Sequence, residues 1–169
     1  MGEVSCKLLT ADDWQAIRDV WADINLSPYA RFDKPHSIVD EEVKERLSKW
    51  EKYQSKNAFF FGIQYDKKVV GYITFVFHDG YWEVGYGLHS DYQGKGVAKE
   101  AMRRTLGFMS LFNKKIVART ALENLPSVSL LFATGFEKVG EEQVSFYNDE
   151  NGSPIFFTGG IYEYHKENK

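Results

Sequence analysis

The sequence predicts a single α/β domain in which a mixed, mostly antiparallel twisted sheet carries helices on both faces. The chain has 169 residues, the size of one ordinary domain. Its hydrophobic residues alternate between helical spacing and short β-rich runs, in the order β-α-α-β-β-β-α-β-α-β-β. Three consecutive β-rich runs are separated only by short polar turns, which predicts an antiparallel meander.

The N-terminal third is predicted to contain one strand and two amphipathic helices. Residues 4–9 form a short apolar run typical of a strand, and Thr10 with Asp13 resembles a capping box that starts a helix. A loop with two prolines, residues 25–36, separates the two helices. Their apolar stripes consist of Trp14, Ile17, Trp21 and Ile24, and of Val39, Val43, Leu47 and Trp50.

The remaining elements follow from later changes in periodicity. The last two strands are joined through Asn151-Gly152, a dipeptide typical of hairpins. Gly135 is expected to end the short helix before them. No repeat or linker interrupts the pattern, so one domain is expected over residues 1–169. The predicted elements are strands at 58–65, 69–77 and 81–88, a helix from 96 through 112, a strand at 116–120, a helix at 127–134, and strands at 136–147 and 155–164.

Composition excludes several classes of function. Lys and Arg number 21 against 24 Asp and Glu, a net charge of −3, which argues against nucleic-acid binding. The only cysteine, Cys6, has no partner for an intramolecular disulfide, so a cytoplasmic location is expected. No apolar run has the length of a membrane span, so no membrane contact is expected. The four histidines share no ligand spacing, so we expect no metal site.

Residues 88–98 combine the end of a strand, a glycine-rich turn and the start of a helix. Backbone N–H groups at a helix start lack intrahelical partners, and glycines let a phosphate approach them closely. The segment does not fit a Walker loop, because Lys95 is followed by Gly96 and not by Ser or Thr. It also lacks the third glycine of a dinucleotide fingerprint. Taken alone, the segment predicts either a phosphate site or a glycine-rich turn without a ligand.

Three segments in order resemble the GNAT superfamily of N-acetyltransferases, and in particular its ribosomal-protein N-terminal acetyltransferase (Rim-type) branch. Gln93-x-x-Gly96-x-Ala98 is similar to the family's acetyl-coenzyme A (acetyl-CoA) motif. The segments at 82–88 and 123–127, the latter followed by Gly135-Phe136, are similar to the flanking family segments. The resemblance covers residues 69–140 well and implies a GNAT-like fold, with a homodimer as a family-level expectation.

The resemblance assigns cofactor contacts to individual residues. It implies that the backbone of Leu88, His89 and Ser90 holds the pantetheine arm like an extra strand, because splayed parallel strands leave that pairing open. It implies that Asn124 binds the cofactor near its thioester, whereas the residue alone equally suggests a turn. The backbone amides implied to hold the pyrophosphate belong to Gln93, Gly94, Lys95, Gly96, Val97 and Ala98.

Acetyl transfer to an amine needs a base for the amine and benefits from an acid for the thiolate. Glu83 is the candidate base, acting through a water, because it lies on the strand that leads to the cofactor site. Many GNAT enzymes place a tyrosine acid where this chain has Leu131, so Ser127 becomes the candidate acid. The alternatives are a solvated strand charge for Glu83 and a helix cap for Ser127.

The function expected from the resemblance is direct transfer of an acetyl group from acetyl-CoA to a primary amine. The Rim-type likeness favours a peptide or protein N-terminal amine. The loop 25–36 with Trp82, Tyr86 and Tyr162 is expected to border the acceptor, whether it is a peptide or a small amine. A small amine, such as a polyamine or an antibiotic, is the alternative acceptor. Two other functions are alternatives. One is a non-catalytic acyl-CoA-binding module, which would be consistent with a leucine in place of the tyrosine acid at position 131. The other is a domain that serves only in assembly.

Overall fold

A computed structural model describes residues 2–166. It contains one domain with seven strands and four α-helices, in the order that the sequence predicts. No helix among the described residues is long and apolar enough to cross a membrane. The strands are β1 (Val4–Leu8), β2 (Ala58–Tyr65), β3 (Lys68–His78), β4 (Tyr81–Leu88), β5 (Lys115–Ala121), β6 (Phe136–Asn148) and β7 (Pro154–Tyr164). The helices are α1 (Trp14–Asn25), α2 (Asp40–Tyr53), α3 (Val97–Met109) and α4 (Leu125–Ala133).

The seven strands form one sheet in the order β1-β2-β3-β4-β5-β7-β6. All neighbours are antiparallel except β4 and β5, which run in parallel and are connected through α3. β2, β3 and β4 form the predicted meander, with Phe61 opposite Ile73 and Ile73 opposite Tyr86. The mixed, mostly antiparallel sheet is therefore confirmed.

Helices pack on both faces of the sheet, as predicted. α1 and α2 cover one face of β2 and β3 through a core that includes Trp21, Leu47 and Phe60. α3 covers the opposite face, where Phe75 and Met102 are completely buried. Successive strand residues point to opposite faces, which is why the continuous apolar run of β2 supplies side chains to both cores.

Three details differ from the sequence prediction. α4 begins at Leu125, two residues before the predicted start, because the side chain of Asn124 caps it by accepting from the backbone N–H of Ser127 at 3.4 Å. The predicted helix 96–112 ends at Met109 and continues as one tight turn. The β6–β7 loop spans residues 149–153, one residue shorter at each end than predicted, and within it the side chain of Asp149 accepts hydrogen bonds from the backbone N–H groups of Asn151 and Ser153.

Candidate functional site

The parallel strands β4 and β5 separate halfway along their length. β4 pairs with β3 from Tyr81 to Leu88, but it pairs with β5 only from Tyr81 to Val84. Residues 85–88 therefore have one edge without a strand partner in the described chain. Such an edge can pair with an extended ligand as if the ligand were another strand. Of the residues predicted to hold a pantetheine arm, Leu88 belongs to this edge.

The turn from β4 into α3 exposes a run of free backbone N–H groups. Gly94 and Gly96 have φ angles of +73° and +78°, in the left-handed region that glycine adopts without strain. A Cβ atom at either position would meet no heavy atom within 4 Å, so the space in front of this turn is open. Among the described residues, the backbone N–H groups of residues 94–98 donate to no protein acceptor. Together with the start of α3, they form a cradle suited to a phosphate group.

The other predicted backbone contacts are already engaged within the protein. The backbone N–H of His89 donates to Val70 at 2.9 Å, and that of Gln93 donates to Ser90 at 3.2 Å. The side chain of Gln93 donates to the carbonyl oxygen of Leu88 at 2.9 Å. These bonds give the turn its shape, whereas the groups free to meet a ligand lie on either side of it, at residues 85–88 and 94–98.

A shallow apolar pocket lies between these two sets of free groups. It lies between the separating part of β4 and helices α3 and α4. Its apolar lining offers a surface against which the uncharged part of a ligand can lie when the anionic end occupies the cradle. Its lining includes Tyr86, Leu88, Ala98, Met102 and Leu130.

A pair of hydroxyl groups lies where β4 leaves β5. The phenol of Tyr86 is hydrogen-bonded to the hydroxyl of Ser127 on α4. Burial raises the pKa of Tyr86 to about 12, against a smaller opposing effect of this bond, so the phenol stays protonated near neutral pH. The sequence prediction did not pair Tyr86 with Ser127. Strand alternation could have indicated that Tyr86 lies on the same face of β4 as Leu88, since residues 84, 86 and 88 share a face.

Two further sequence expectations concern the interior. Trp82 and Tyr162, which were expected to border an acceptor, are 5% and 1% exposed and belong to the core beneath α3. That expectation is wrong, because their strand positions turn them away from the loop 25–36. Leu131 is completely buried in the same core, so its position offers no group to a ligand.

Glu83 lies on the opposite face of β4 from Tyr86, one residue before the last β4–β5 pair. Its carboxylate forms an ion pair with Arg119 of β5, and its second oxygen is 3.5 Å from Nε2 of His78. Arg119 also donates to the hydroxyl of Tyr81 at 3.2 Å and lies 3.6 Å from the carboxylate of Glu142. Glu83 therefore belongs to a charged network that the sequence prediction did not include.

The loop 25–36 borders this second face. The hydroxyl of Tyr147 donates to the carbonyl oxygen of Asp33 at 2.6 Å. Arg31 pairs with Glu123 at 3.2 Å, immediately before Asn124. The loop is thus fastened both to the β6–β7 hairpin and to the turn that precedes α4. Among residues 2–166, no group of three or more His, Cys, Asp or Glu side chains is placed to hold a metal ion.

Comparisons with known proteins give a consistent family. The family model of the acetyltransferase (GNAT) domain matches residues 7–137. The chain is 27% identical over 132 residues to the uncharacterized N-acetyltransferase YnaD of Bacillus subtilis (strain 168), covering 76% of this chain and 75% of the relative.

Solved structures share the fold at lower identity. One is the ribosomal-protein-S5-alanine acetyltransferase of Vibrio fischeri, with a TM-score of 0.78, 24% identity, and coverage of 95% and 93% of the two chains. Another is the spermidine N-acetyltransferase of Vibrio cholerae in complex with CoA and spermine, with a TM-score of 0.74, 20% identity, and coverage of 94% of each chain.

Proposed function

The chain belongs to the GNAT family of acetyltransferases and is an N-acetyltransferase, and from this premise we propose that it transfers the acetyl group of acetyl-CoA directly to the N-terminal amine of a peptide or protein. The observation that carries the proposal is the separation of β4 from β5 beside the cradle of free N–H groups at residues 94–98. A ligand that is both extended and anionic at one end suits this arrangement. Family membership favours catalysis over a non-catalytic acyl-CoA-binding module.

The residues present fit acetyl-CoA, which supplies the activated acetyl group as a thioester. The N–H groups of residues 94–98 would bind the pyrophosphate, with Gly94 and Gly96 keeping the approach open. The free edge at residues 85–88 would pair with the pantetheine arm above the apolar pocket. Asn124, which caps α4 through its Oδ1 atom, would still have its side-chain N–H groups to donate near the thioester.

Glu83 is proposed as the base that accepts the amine proton through a water. Its place on the face bordered by the loop 25–36 supports this role, because that face is open to an acceptor beside the strand separation. Gly85, where the free edge begins, is two residues further along β4, which is roughly 7 Å. Arg119 pairs with one carboxylate oxygen of Glu83, so the second oxygen, 3.5 Å from Nε2 of His78, is the one that would accept the proton.

Ser127 is proposed as the proton donor to the departing sulfur. A serine hydroxyl alone is a weak acid, but a hydrogen bond donated by Tyr86 would stabilise negative charge that develops on Ser127. In this role the protonated phenol of Tyr86 is the donor of the shared bond, which leaves the Ser127 proton free to point towards the strand separation. N–H groups of the free β4 edge would stabilise charge that develops on the acyl oxygen.

Direct transfer, without an acetylated enzyme, is supported by the state of the only cysteine. Burial raises the pKa of the Cys6 thiol to about 11, so the thiolate needed for nucleophilic attack is scarce at neutral pH. Cys6 also lies on β1, whereas the strand separation lies between β4 and β5. Initial rates with both substrates varied should therefore give intersecting rather than parallel double-reciprocal lines.

The peptide acceptor is supported by the face that would receive it. α1 and α2 contact β2, β3 and β4, whereas the loop 25–36 reaches β6 and β7 on this face, where the rings of Phe32 and Phe157 are 5.2 Å apart. Between these two covers, an extended chain can lie along the strip of sheet around β5. Glu83, Glu142 and Glu163 lie on the strip against Arg119 and Lys115, an acidic excess that suits a protonated amine.

The test measures thiol release from acetyl-CoA with matched acceptors. One peptide has a free N-terminus and no lysine, a second has the same sequence with a blocked N-terminus, and a third is blocked but carries one lysine. A linear polyamine completes the panel, and reactions without an acceptor give the background hydrolysis. We expect release with the first peptide alone. Preference for the polyamine would replace the peptide by the small-amine alternative, and no acceptor-dependent release would overturn the proposed reaction.

A further inference from the structure

Asp23 is an acidic residue in the last turn of α1, where the helix dipole favours a cation. No basic residue occupies that turn. The carboxylate of Asp23 is only 22% exposed, so part of its hydration is also lost. A residue that is unfavourable in its own helix indicates that contacts elsewhere compensate for it.

Those contacts lie in the turn that leads to the cofactor cradle. The carboxylate of Asp23 accepts from the backbone N–H of Ser90 at 2.8 Å and from the hydroxyl of Ser90 at 2.6 Å. Nε2 of His89 is 3.7 Å from the same carboxylate. Nδ1 of His89 accepts the backbone N–H of Asp91 at 3.1 Å, so the imidazole bridges α1 and the turn.

We propose that Asp23 is a positioning residue that holds the turn at residues 89–93 so that the N–H groups of residues 94–98 face the coenzyme. The inference rests on the proposed function, because it assigns the cradle to the pyrophosphate. Ser90 is the point of attachment, since its carbonyl oxygen accepts from Gln93, the last residue before the cradle. Fixing Ser90 therefore fixes the residue from which the cradle begins.

The same end of α1 also holds the loop that borders the acceptor face. The side chain of Asn25 donates to the carbonyl oxygen of His36 at 2.8 Å and accepts from its backbone N–H at 3.1 Å. Asp23 and Asn25 are two residues apart, so one helical turn fastens both substrate-facing segments. A change at Asp23 alone leaves the Asn25 attachment in place, which separates the two effects.

Electrostatics and positioning predict opposite results for Asp23→Ala. Removing a negative charge near an anion site should strengthen coenzyme binding by Coulomb's law. If Asp23 acts by position, the freed turn must be ordered on binding, and the dissociation constant for acetyl-CoA should rise by about tenfold or more. The KM for acetyl-CoA should rise similarly, while kcat at saturating coenzyme stays within about threefold of wild type.

The experiment compares Asp23→Ala, Ser90→Ala, the double variant and Asp19→Ala by calorimetric titration with acetyl-CoA. Asp19 is the matched control, since it lies one turn earlier on α1, is 66% exposed and, within residues 2–166, pairs only with Arg18. We expect Ser90→Ala to weaken binding, Asp19→Ala to leave it unchanged, and the double variant to be no weaker than Asp23→Ala, because the two residues act through one contact.

The outcomes separate this inference from the proposed function. If wild type fails to bind acetyl-CoA, the proposed function is wrong and the inference falls with it. If wild type binds but Asp23→Ala binds equally or more tightly, the inference alone is overturned. Should Asp23→Ala not fold, the exposed Ser90→Ala decides: it removes the hydroxyl bond to Asp23 and keeps the backbone bond, so a smaller rise in the dissociation constant supports the inference and an unchanged or lower one overturns it.

Discussion

Gly96→Val should abolish tight binding of acetyl-CoA while leaving the protein folded. Gly96 lies immediately before α3 with φ of +78°, and a Cβ there would meet no heavy atom within 4 Å. The cost to the fold is therefore only that of a left-handed backbone for a residue with a side chain, about 1–2 kcal/mol. For a chain of this size, that cost corresponds to a melting temperature lower by about 2–8 °C.

The cost to the ligand is larger, because the valine side chain would occupy the open space in front of the N–H groups of residues 94–98. A hydrogen bond to a charged group contributes about 1.5–3 kcal/mol. Losing two of them corresponds to about 3–6 kcal/mol, or an affinity for acetyl-CoA lower by about 10²–10⁴-fold. The loss of affinity should thus far exceed what the small loss of stability could cause.

Gly152→Val is the matched control. Gly152 has φ of +80° and equally open surroundings, but it lies in the loop between β6 and β7. Both variants should lose similar stability in thermal unfolding, and only Gly96→Val should lose coenzyme affinity in calorimetric titration. Equal affinities of the two folded variants would refute the assignment of the pyrophosphate to this turn.

Three further predictions concern the proposed chemistry and the loop that borders it. Glu83→Gln should lower turnover by about 10²–10⁴-fold with unchanged acetyl-CoA affinity, and the defect should shrink as pH rises towards the pKa of the acceptor amine. Superimposable pH–rate profiles of wild type and Glu83→Gln would exclude Glu83 as the base. Ser127→Ala should lower kcat by about 100-fold and Tyr86→Phe by about tenfold, and a double variant slower than Ser127→Ala alone would show that Tyr86 does not act through Ser127. Burial lowers the pKa of His36 below 6.5, against a smaller opposing effect of Asp33, so the unfolded chain binds a proton that the folded chain excludes. The free energy of unfolding should therefore fall as pH drops below about 6.5, by at most about 1.4 kcal/mol per pH unit, and His36→Phe should flatten this dependence in denaturant titrations at pH 7.5 and 5.5.

Features that depend on neighbouring residues were predictable. The capping box at Thr10 and Asp13 forms as expected, with the Asp13 carboxylate accepting from the backbone N–H of Thr10 at 2.8 Å. The meander strands and the glycine turn at residues 93–96 also follow from local pattern. Periodicity, capping and positive φ angles involve residues only a few positions apart, so the sequence displays them directly.

Contacts between distant residues were decided by the tertiary structure. Tyr86 and Ser127 are 41 positions apart, Glu83 and Arg119 are 36 apart, and Asp23 and Ser90 are 67 apart. Alternation along β4 assigns Tyr86 and Glu83 to opposite faces of the sheet. It does not show that α4 places Ser127 beside Tyr86, or that β5 places Arg119 beside Glu83. That depends on where the β4–β5 ladder stops and on how α1 and α4 pack, and these follow from side-chain packing across the whole domain. The sequence alone therefore determined the strand, the glycine turn and the helix that could bind a phosphate, whereas packing between elements decided which groups stayed free to bind it.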